Sequence, residues 1–306
     1  MEVYLRVLSL FNVELKNISN DFLEIIKRQG FDYIEISPLQ ETKEEFSKQW
    51  WMLYQPINFR VGNRMGSKDE LRSLCDRARE RGISVIADVI VNHTAGGCTP
   101  DKYLEPHPNV DYDLRNNYNS WKHTKNIEMH EWNDRWKVIN YNLGLPGLNP
   151  NDPLVQSKVI DLLNEYVSCG VEGFRIDAAK SIGLPEEGCN FFPIITYSIN
   201  RPIKVIYGEV LNTDPNVIRN YAKYMKVLTD TPVNDIKDAL VRFCETKDTF
   251  LGAGDMGYTK FVPDYEITNW YEGLASFYPN TLYYKREHSD EFQSDKVRKA
   301  NKVLVR

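Results

Sequence analysis

The chain alternates between short apolar runs and longer amphipathic segments through most of its length. The apolar runs predict strands at about residues 2–9, 32–37, 83–91, 171–177, 204–210 and 226–229. Apolar positions with helical spacing predict helices at residues 20–29, 67–82, 155–168 and 214–224. Single strands that alternate with single helices are typical of a parallel sheet covered by helices.

The ends of the predicted helices carry specific signals. Ser67 and Glu70 have the spacing of a capping box, and Gly30 and Gly82 stand where a glycine ends a helix before an apolar strand. No GxGxxG follows the first strand and no GxxxxGK[S/T] occurs, so nothing supports a dinucleotide-binding or P-loop fold. The remaining α/β architecture for this many strand–helix units is a (β/α)8 TIM barrel.

One interval interrupts the alternation. After the third predicted barrel strand, residues 94–150 are rich in Asn, Asp, Tyr, Trp and Pro and show little periodicity. A loop of this length in a compact domain is either disordered or functional, and its aromatic residues favour a small ordered domain. We therefore predict a barrel formed by residues 1–93 and 151–306, with an inserted domain at residues 94–150.

Composition narrows the class of partners. The chain has 306 residues, a net charge of −5 and no block of like charges, which argues against nucleic acid as the main partner. No apolar stretch approaches the roughly 20 residues of a membrane span, so we expect no membrane partner. Glu2, Arg6 and Glu14 interrupt the apolar N-terminal run, which favours a cytoplasmic protein, or a secreted one only if a leader was removed. The five cysteines lack a CxxC spacing and indicate reduced thiols, and the sequence does not predict an oligomeric state.

Polar residues collect where the predicted strands end. Strand side chains alternate, so Arg175 and Asp177 should share one face. Such a buried pair is either a structural ion pair or a carboxylate kept ionised for chemistry, and the pair alone leaves both interpretations open. Asp88, His93 and Glu209 end other predicted strands, and in a TIM barrel all these groups would face one mouth. Carboxylates with a cation and an imidazole suit glycoside hydrolysis.

Three of these strand ends carry a family resemblance. DVIVNH (88–93), GFRIDAAK (173–180) and YGEV (207–210) resemble, in this order, the first three signature regions of the α-amylase family, glycoside hydrolase family 13. WWMLYQPINFRVGNRMGSKDEL (50–71) is similar to the same family, and closest to secreted bacterial amylases of the Bacillus subtilis type. The resemblance extends from about residue 5 to residue 285. It implies a barrel that cleaves α-1,4-glucans with retention, with residues 94–150 as domain B.

The resemblance also implies a role for each matching residue. Asp177 would be the nucleophile and Glu209 the general acid/base, with Arg175 holding Asp177 ionised. His93 would hydrogen-bond the sugar in the central subsite, and Lys180 would lie toward the leaving group. The other implied substrate contacts are Trp50, Trp51 (at the position of a stacking tyrosine), Tyr54 and Gln55.

The fourth signature region departs from the family. In TKFVPDYEITNWYEG (259–273), the positions of the family's His-Asp pair are occupied by Thr268, an implied substrate contact, and Asn269. The third catalytic carboxylate thereby becomes a neutral amide, and we expect turnover to fall by at least about 10²-fold. The open alternative is a different register, in which Asp264 or Glu266 supplies the charge.

The calcium ligands of the family are only partly present. Of the expected ligand side chains, Asn92 remains, whereas Ile139 and Gly147 stand where threonine and aspartate are expected. The histidine that usually follows the lysine at position 180 is Ser181. A hard cation needs several oxygen ligands, so we predict that no cofactor is required; calcium binding stays possible, with too few of the expected ligands for a tight site.

Two functions remain open. The leading one is an α-amylase-type glycosidase with impaired activity on an α-glucan such as starch, or on a maltooligosaccharide. The alternative is a weak or inactive homologue that binds glucan or regulates a partner; a scaffold without a sugar ligand would leave Asp177 and Glu209 without a use. Residues 280–286 and 289–305 predict a last strand and helix, and the family's β-sandwich domain C is not predicted.

Overall fold

The computed structural model describes residues 7–28, 31–43, 49–210 and 215–228. The strands in chain order are β1 (Val7–Leu10), β2 (Tyr33–Ile36), β3 (Gln40–Thr42), β4 (Pro56–Val61), β5 (Ser84–Val89), β6 (Gly173–Ile176), β7 (Val205–Glu209) and β8 (Lys226–Leu228). Six of them form one parallel sheet in the order β1-β2-β5-β6-β7-β8, and β3 and β4 form a separate antiparallel pair. The described part of the predicted alternation is therefore confirmed.

The helices lie between these strands. They are α1 (Asn20–Arg28), α2 (Lys68–Glu80), α3 (Tyr112–Asn116), α4 (Arg135–Asn140), α5 (Pro153–Ser168), α6 (Phe191–Tyr197) and α7 (Pro215–Ala222). The capping box of α2 is present, since the Ser67 hydroxyl accepts from Glu70 N at 3.2 Å and Ser67 N donates to Glu70 Oε2 at 2.7 Å. Gly82 takes the left-handed conformation expected of a helix-ending glycine, with φ of 66°.

Sequence periodicity missed the β3–β4 pair and α6. Strand β3 has only three residues and is followed by a long connection, so it offers too short a window for an alternating pattern. Helix α6 reads FFPIITY, which is apolar almost throughout and contains Pro193, so it shows no amphipathic period. Tertiary packing, through the buried residues Phe191, Phe192 and Ile195, stabilises this short helix.

The two faces of the six-stranded sheet bury different side chains. Leu8, Ile34, Val85 and Phe174 belong to the main core, together with buried residues of α1, α2 and α5. Val7 of β1, Ile86 of β5, and Val205 and Tyr207 of β7 form a second, smaller cluster; Val7 and Ile86 alternate with Leu8 and Val85 of the main core. This alternation places a narrow apolar layer on the face opposite the helices. The inner face of a barrel is packed in such layers.

The segment 94–150 is described throughout and is tied to the strand ends. Leu148 N donates to Asn92 O at 2.8 Å, and within the segment Thr94 N donates to Pro146 O at 3.1 Å, which pairs its two ends. Lys158 Nζ of α5 lies 2.8 Å from the Asp111 carboxylate. The segment therefore packs over the end of the sheet at which β5 terminates.

Several predictions fall outside the described residues. They include the fourth signature region with Thr268 and Asn269, the predicted strand at 280–286 and the predicted helix at 289–305. Within the described ranges, Cys75, Cys169 and Cys189 are buried free thiols. Over the same residues, every helix is too short or too polar to cross a membrane.

Candidate active site

Charged side chains meet where β5, β6 and β7 end. Asp88 and Arg175 are direct partners in the parallel register of β5 and β6, so their side chains leave the sheet side by side. Asp177 follows β6 immediately, and Glu209 is the last residue of β7. Adjacent parallel strands thus bring together residues that are up to 121 positions apart, the separation of Asp88 and Glu209 (209 − 88).

Arg175 lies at the centre of this group and contacts three carboxylates. Its Nη1 atom is 2.8 and 2.9 Å from the two oxygens of Asp88, and 3.0 Å from Asp177 Oδ1. Its Nη2 atom is 3.2 Å from Glu209 Oε1. Arg175, Asp88 and Asp177 are buried. The predicted Arg175–Asp177 pair is confirmed, but it is part of a larger cluster.

Asp88 is the residue of this cluster to which the sequence assigned no role. Both of its oxygens face Arg175, and Oδ2 also accepts a hydrogen bond from the Tyr54 hydroxyl at 2.8 Å. The available signal was its place in DVIVNH, but its partner is 87 positions away. Tyr54, predicted as a substrate contact, is partly buried and orients this carboxylate.

The cluster holds more negative than positive charge. Burial raises the pKa of the Asp177 carboxyl well above its ordinary value, and the Glu209 carboxylate raises it further, against the lowering effect of Arg175. Burial likewise raises the pKa of Asp88. Arg175 lowers the pKa of Asp177, which is the direction of its expected role, but one guanidinium offsets only part of the cost of burying these carboxylates. That Arg175 holds Asp177 ionised stays a prediction. Such a set titrates as a unit and retains a proton more readily than separate carboxylates do.

The backbone after Asp177 is held in a strained turn. Asp177 N donates to Val89 O at 3.0 Å, which ties this residue to the end of β5. Ala178 has φ of 47°, a left-handed conformation that is uncommon for residues other than glycine. In this conformation Ala178 N donates to Glu209 Oε2 at 3.1 Å. The turn thereby fixes Glu209 relative to Asp177.

His93 lies beside the cluster in a neutral state. Its Nε2 atom is 2.9 Å from Tyr54 O, and because a carbonyl only accepts, Nε2 carries the proton. Burial lowers the pKa of His93 to about 4, so the ring is uncharged at neutral pH. Its N–H is thus already bonded within the protein, and the contact of His93 with a sugar stays a prediction.

The predicted aromatic contacts lie on a single turn of 3₁₀ helix, Trp50–Tyr54. Trp50 and Trp51 are 50% and 45% exposed, and their ring centroids are 5.9 Å apart. The Gln55 amide lies 3.9 Å from Met52 Sδ, and Lys180 Nζ lies 4.4 Å from the centroid of the Trp132 ring. The two tryptophans offer flat apolar surface of the kind on which sugar rings pack.

Asn92, the predicted calcium ligand, has a protein partner. Its Oδ1 atom accepts from Lys122 Nζ at 3.2 Å, so a lysine ammonium lies where a metal ion was considered. In the described part of the chain, no three His, Cys, Asp or Glu residues are grouped so that they could hold a metal ion.

Parallel strands alternating with helices, with carboxylates converging on one arginine at the strand ends, are the arrangement typical of glycoside hydrolases of the TIM-barrel class. Comparison with known proteins identifies the family. Residues 14–249 match the alpha-amylase family, described as "Alpha amylase, catalytic domain". The chain belongs to the α-amylase family, and its fold is the predicted (β/α)8 barrel.

Individual relatives agree with this assignment. The chain is 36% identical to the alpha-amylase of Clostridium acetobutylicum over 234 residues, which cover 72% of this chain and 30% of that protein. It is 30% identical to the alpha-amylase-related protein of Drosophila auraria over 185 residues, or 57% of this chain and 36% of that protein. The matched region thus spans about a third of the length of these relatives. An Anoxybacillus alpha-amylase structure shares the fold, with a TM-score of 0.64 and 19% identity over 95% of this chain and 70% of that one.

Proposed function

We propose that the chain cleaves α-1,4-glucans, such as starch and maltooligosaccharides, by a retaining double displacement. The observation that supports this most is the contact of Arg175 with three carboxylates, of which Asp177 and Glu209 close the ends of adjacent strands. Retaining glycosidases need one carboxylate that attacks and a second that carries a proton. A cluster with one cation for three carboxylates favours the retention of one proton among them.

In the proposed mechanism Asp177 and Glu209 act in sequence. The Asp177 carboxylate attacks the anomeric carbon, and the bond from that carbon to the leaving oxygen breaks as Glu209 gives this oxygen its proton. Glu209 then takes a proton from water, whose oxygen displaces the Asp177 carboxylate and releases the sugar. Trp50 and Trp51 are exposed and would pack against glucose rings.

Turnover and binding measured on one preparation test this proposal. The purified chain is expected to release reducing ends from soluble starch, with the α-anomer appearing first by NMR, and to bind maltooligosaccharides by calorimetry. Initial release of the β-anomer would contradict the retaining mechanism, and a preparation with neither release nor binding would contradict the whole proposal. Binding without release would instead support a glucan-binding homologue, the second candidate.

The second candidate is favoured by one observation, the Thr268–Asn269 pair where the family has a His-Asp pair. If a missing charge limits the rate, Asn269→Asp should raise turnover on starch by at least about 10²-fold, because a carboxylate aimed at developing positive charge stabilises the transition state. Asn119→Asp, the same change at an exposed position, serves as the control and should leave turnover unchanged. An unchanged rate in Asn269→Asp would assign the third carboxylate to another residue, such as Asp264 or Glu266.

A further inference from the structure

Lys122 lies at a junction of three segments. It belongs to the segment 94–150, and its Nζ atom donates to Asn92 Oδ1 at 3.2 Å and to Ser181 O at 2.9 Å. Asn92 follows β5 and Ser181 follows β6, and both are almost fully buried, with exposures of 2% and 1%. One ammonium group therefore connects the inserted segment to the loops after two neighbouring barrel strands.

The stem of Lys122 occupies the space beside Gly147. Lys122 N donates to Gly147 O at 2.8 Å, so the two residues are paired through their backbones. A Cβ atom added to Gly147 would lie 2.9 Å from Lys122 Cδ and 3.4 Å from Lys122 Cγ, which is too close for the first contact. The lysine stem and a side chain at position 147 therefore exclude each other.

The residues at the positions where the sequence comparison expects ligands do not fit a calcium ion. Calcium is bound by six to eight oxygens in most protein sites. Position 147 provides no side chain, Ile139 provides only an apolar one, and the Asn92 oxygen already accepts from a cation. The two oxygens that Lys122 contacts, an amide and a backbone carbonyl, are nevertheless of the type that calcium binds.

We propose that the ammonium group of Lys122 takes the place of a bound metal ion in this chain. It satisfies the Asn92 and Ser181 oxygens by hydrogen bonds, and its stem fills the space of the side chain that Gly147 lacks. The inserted segment is thereby joined to the barrel by a covalently attached amino group, which needs no metal in solution. Burial lowers the pKa of Lys122 to about 7, so the hydrogen bonds, and not a full positive charge, make this connection.

A second cation of the inserted segment holds the same loop. Arg135 Nη1 donates to Lys180 O at 2.6 Å, next to the Ser181 carbonyl that Lys122 holds. The Tyr221 hydroxyl donates to Ile182 O at 2.6 Å and accepts from Arg135 Nη2 at 2.8 Å. Three consecutive carbonyls, which begin three residues after Asp177, are thus fixed by protein side chains. Protein side chains thus hold the loop that follows the proposed nucleophile, without a metal ligand.

The first test compares melting temperatures with and without calcium. EDTA and millimolar CaCl₂ should each leave the melting temperature of the chain unchanged within about 1 °C, since RT ln(1 + [L]/Kd) is zero for a ligand that does not bind. Lys122→Met, which keeps the stem and removes the charge, should lower the melting temperature by at least about 5 °C, because two buried oxygens lose their donor. Lys102→Met, at an exposed position of the same segment, is the control and should melt like the parent chain.

The second test restores a metal site. In Lys122→Ala/Gly147→Asp the stem is removed and a carboxylate is introduced beside Asn92 and Ser181, with a small shift of Asn142 Oδ1, which lies 2.7 Å from the position of the new Cβ. This double variant should gain a melting temperature that rises with calcium concentration, whereas Lys122→Ala alone should not.

Each arm has an outcome that overturns the proposal. Calcium binding by the parent chain, seen as a rise in its melting temperature or a fall in EDTA, would show that a metal and Lys122 do not share a position. A Lys122→Met variant as stable as Lys102→Met would show that the ammonium does not join the segments. If the double variant folds and its melting temperature does not change with calcium concentration, the ammonium group of Lys122 does not occupy the position of a metal ion. All these readouts are independent of catalytic activity, so they stand even if the proposed function fails.

Discussion

Glu209→Gln is expected to reduce the release of reducing ends from starch by about 10²- to 10⁴-fold, because the leaving oxygen loses its proton donor. The same variant, supplied with α-glucosyl fluoride, should accumulate a covalent glucosyl adduct on Asp177. Fluoride leaves without protonation, so the first displacement proceeds, whereas the second requires the missing base. Intact-protein and peptide mass spectrometry would show the adduct and locate it. The amide oxygen can still accept from Ala178 N, so the turn should be preserved.

Two further variants make this result specific. Asp177→Asn should form no adduct and show no turnover, since it lacks the attacking oxygen charge. Asp161→Asn makes the same change on the exposed side of α5 and should match the parent chain. An adduct on a residue other than Asp177, or one that forms equally in Asp177→Asn, would assign the nucleophile elsewhere.

Arg175→Met should be the most destabilising single change at the site. It leaves Asp88, Asp177 and Glu209 near one another without the cation they share, and breaking a buried ion pair in this way costs roughly 3–5 kcal/mol. The melting temperature should then fall by about 10 °C. Arg72→Met removes an exposed contact with Asp69 and should cost no more than about 1 kcal/mol, which makes it a suitable control.

The loss in Arg175→Met should also depend on pH in a defined direction. Without the cation, the pKa values of the buried carboxyls rise further, so the folded state binds protons that the unfolded state releases at neutral pH. Stability therefore falls as pH rises, and the difference in melting temperature from the parent chain should narrow between pH 7 and pH 5. A difference that widens toward pH 5 would mean that Arg175 does not act by offsetting these carboxylates.

The loop that follows Asp177 takes part both in the proposed mechanism and in the proposed contact of Lys122 with the barrel. Asp177 N is bonded to β5, Ala178 N to Glu209, and the next carbonyls to side chains of the inserted segment and α7. A carboxylate that attacks a sugar must be held close to its reactive geometry, since small displacements of a reacting group are costly in rate. In the proposed reaction the inserted segment would therefore contribute by holding the loop that follows Asp177.

Local patterns in the sequence determined the order of the elements. Apolar runs of four to six residues, such as SVIADV, predict buried parallel strands because both faces of such a strand are covered by other apolar side chains. The capping box at Ser67 and the glycine at position 82 locate the two ends of α2 from neighbouring residues alone. The pairing of Arg175 with Asp177 follows from strand alternation, which needs no knowledge of the rest of the fold.

Tertiary structure decided the partners that periodicity does not encode. Asp88 joins Arg175 across 87 positions because β5 and β6 are adjacent in a particular register, and Lys122 reaches Ser181 across 59. The sequence alone placed Asp88 at the predicted mouth but gave no partner to Asp88 or Lys122, because a lone aspartate or lysine has no local signal for its partner. The sequence therefore determined which residues could carry the chemistry. The packing of distant segments decided the charge balance among Asp88, Asp177, Glu209 and Arg175, and it decided that Lys122 contacts the loop after Asp177. Burial and neighbouring charges act through space, so a local pattern does not encode them.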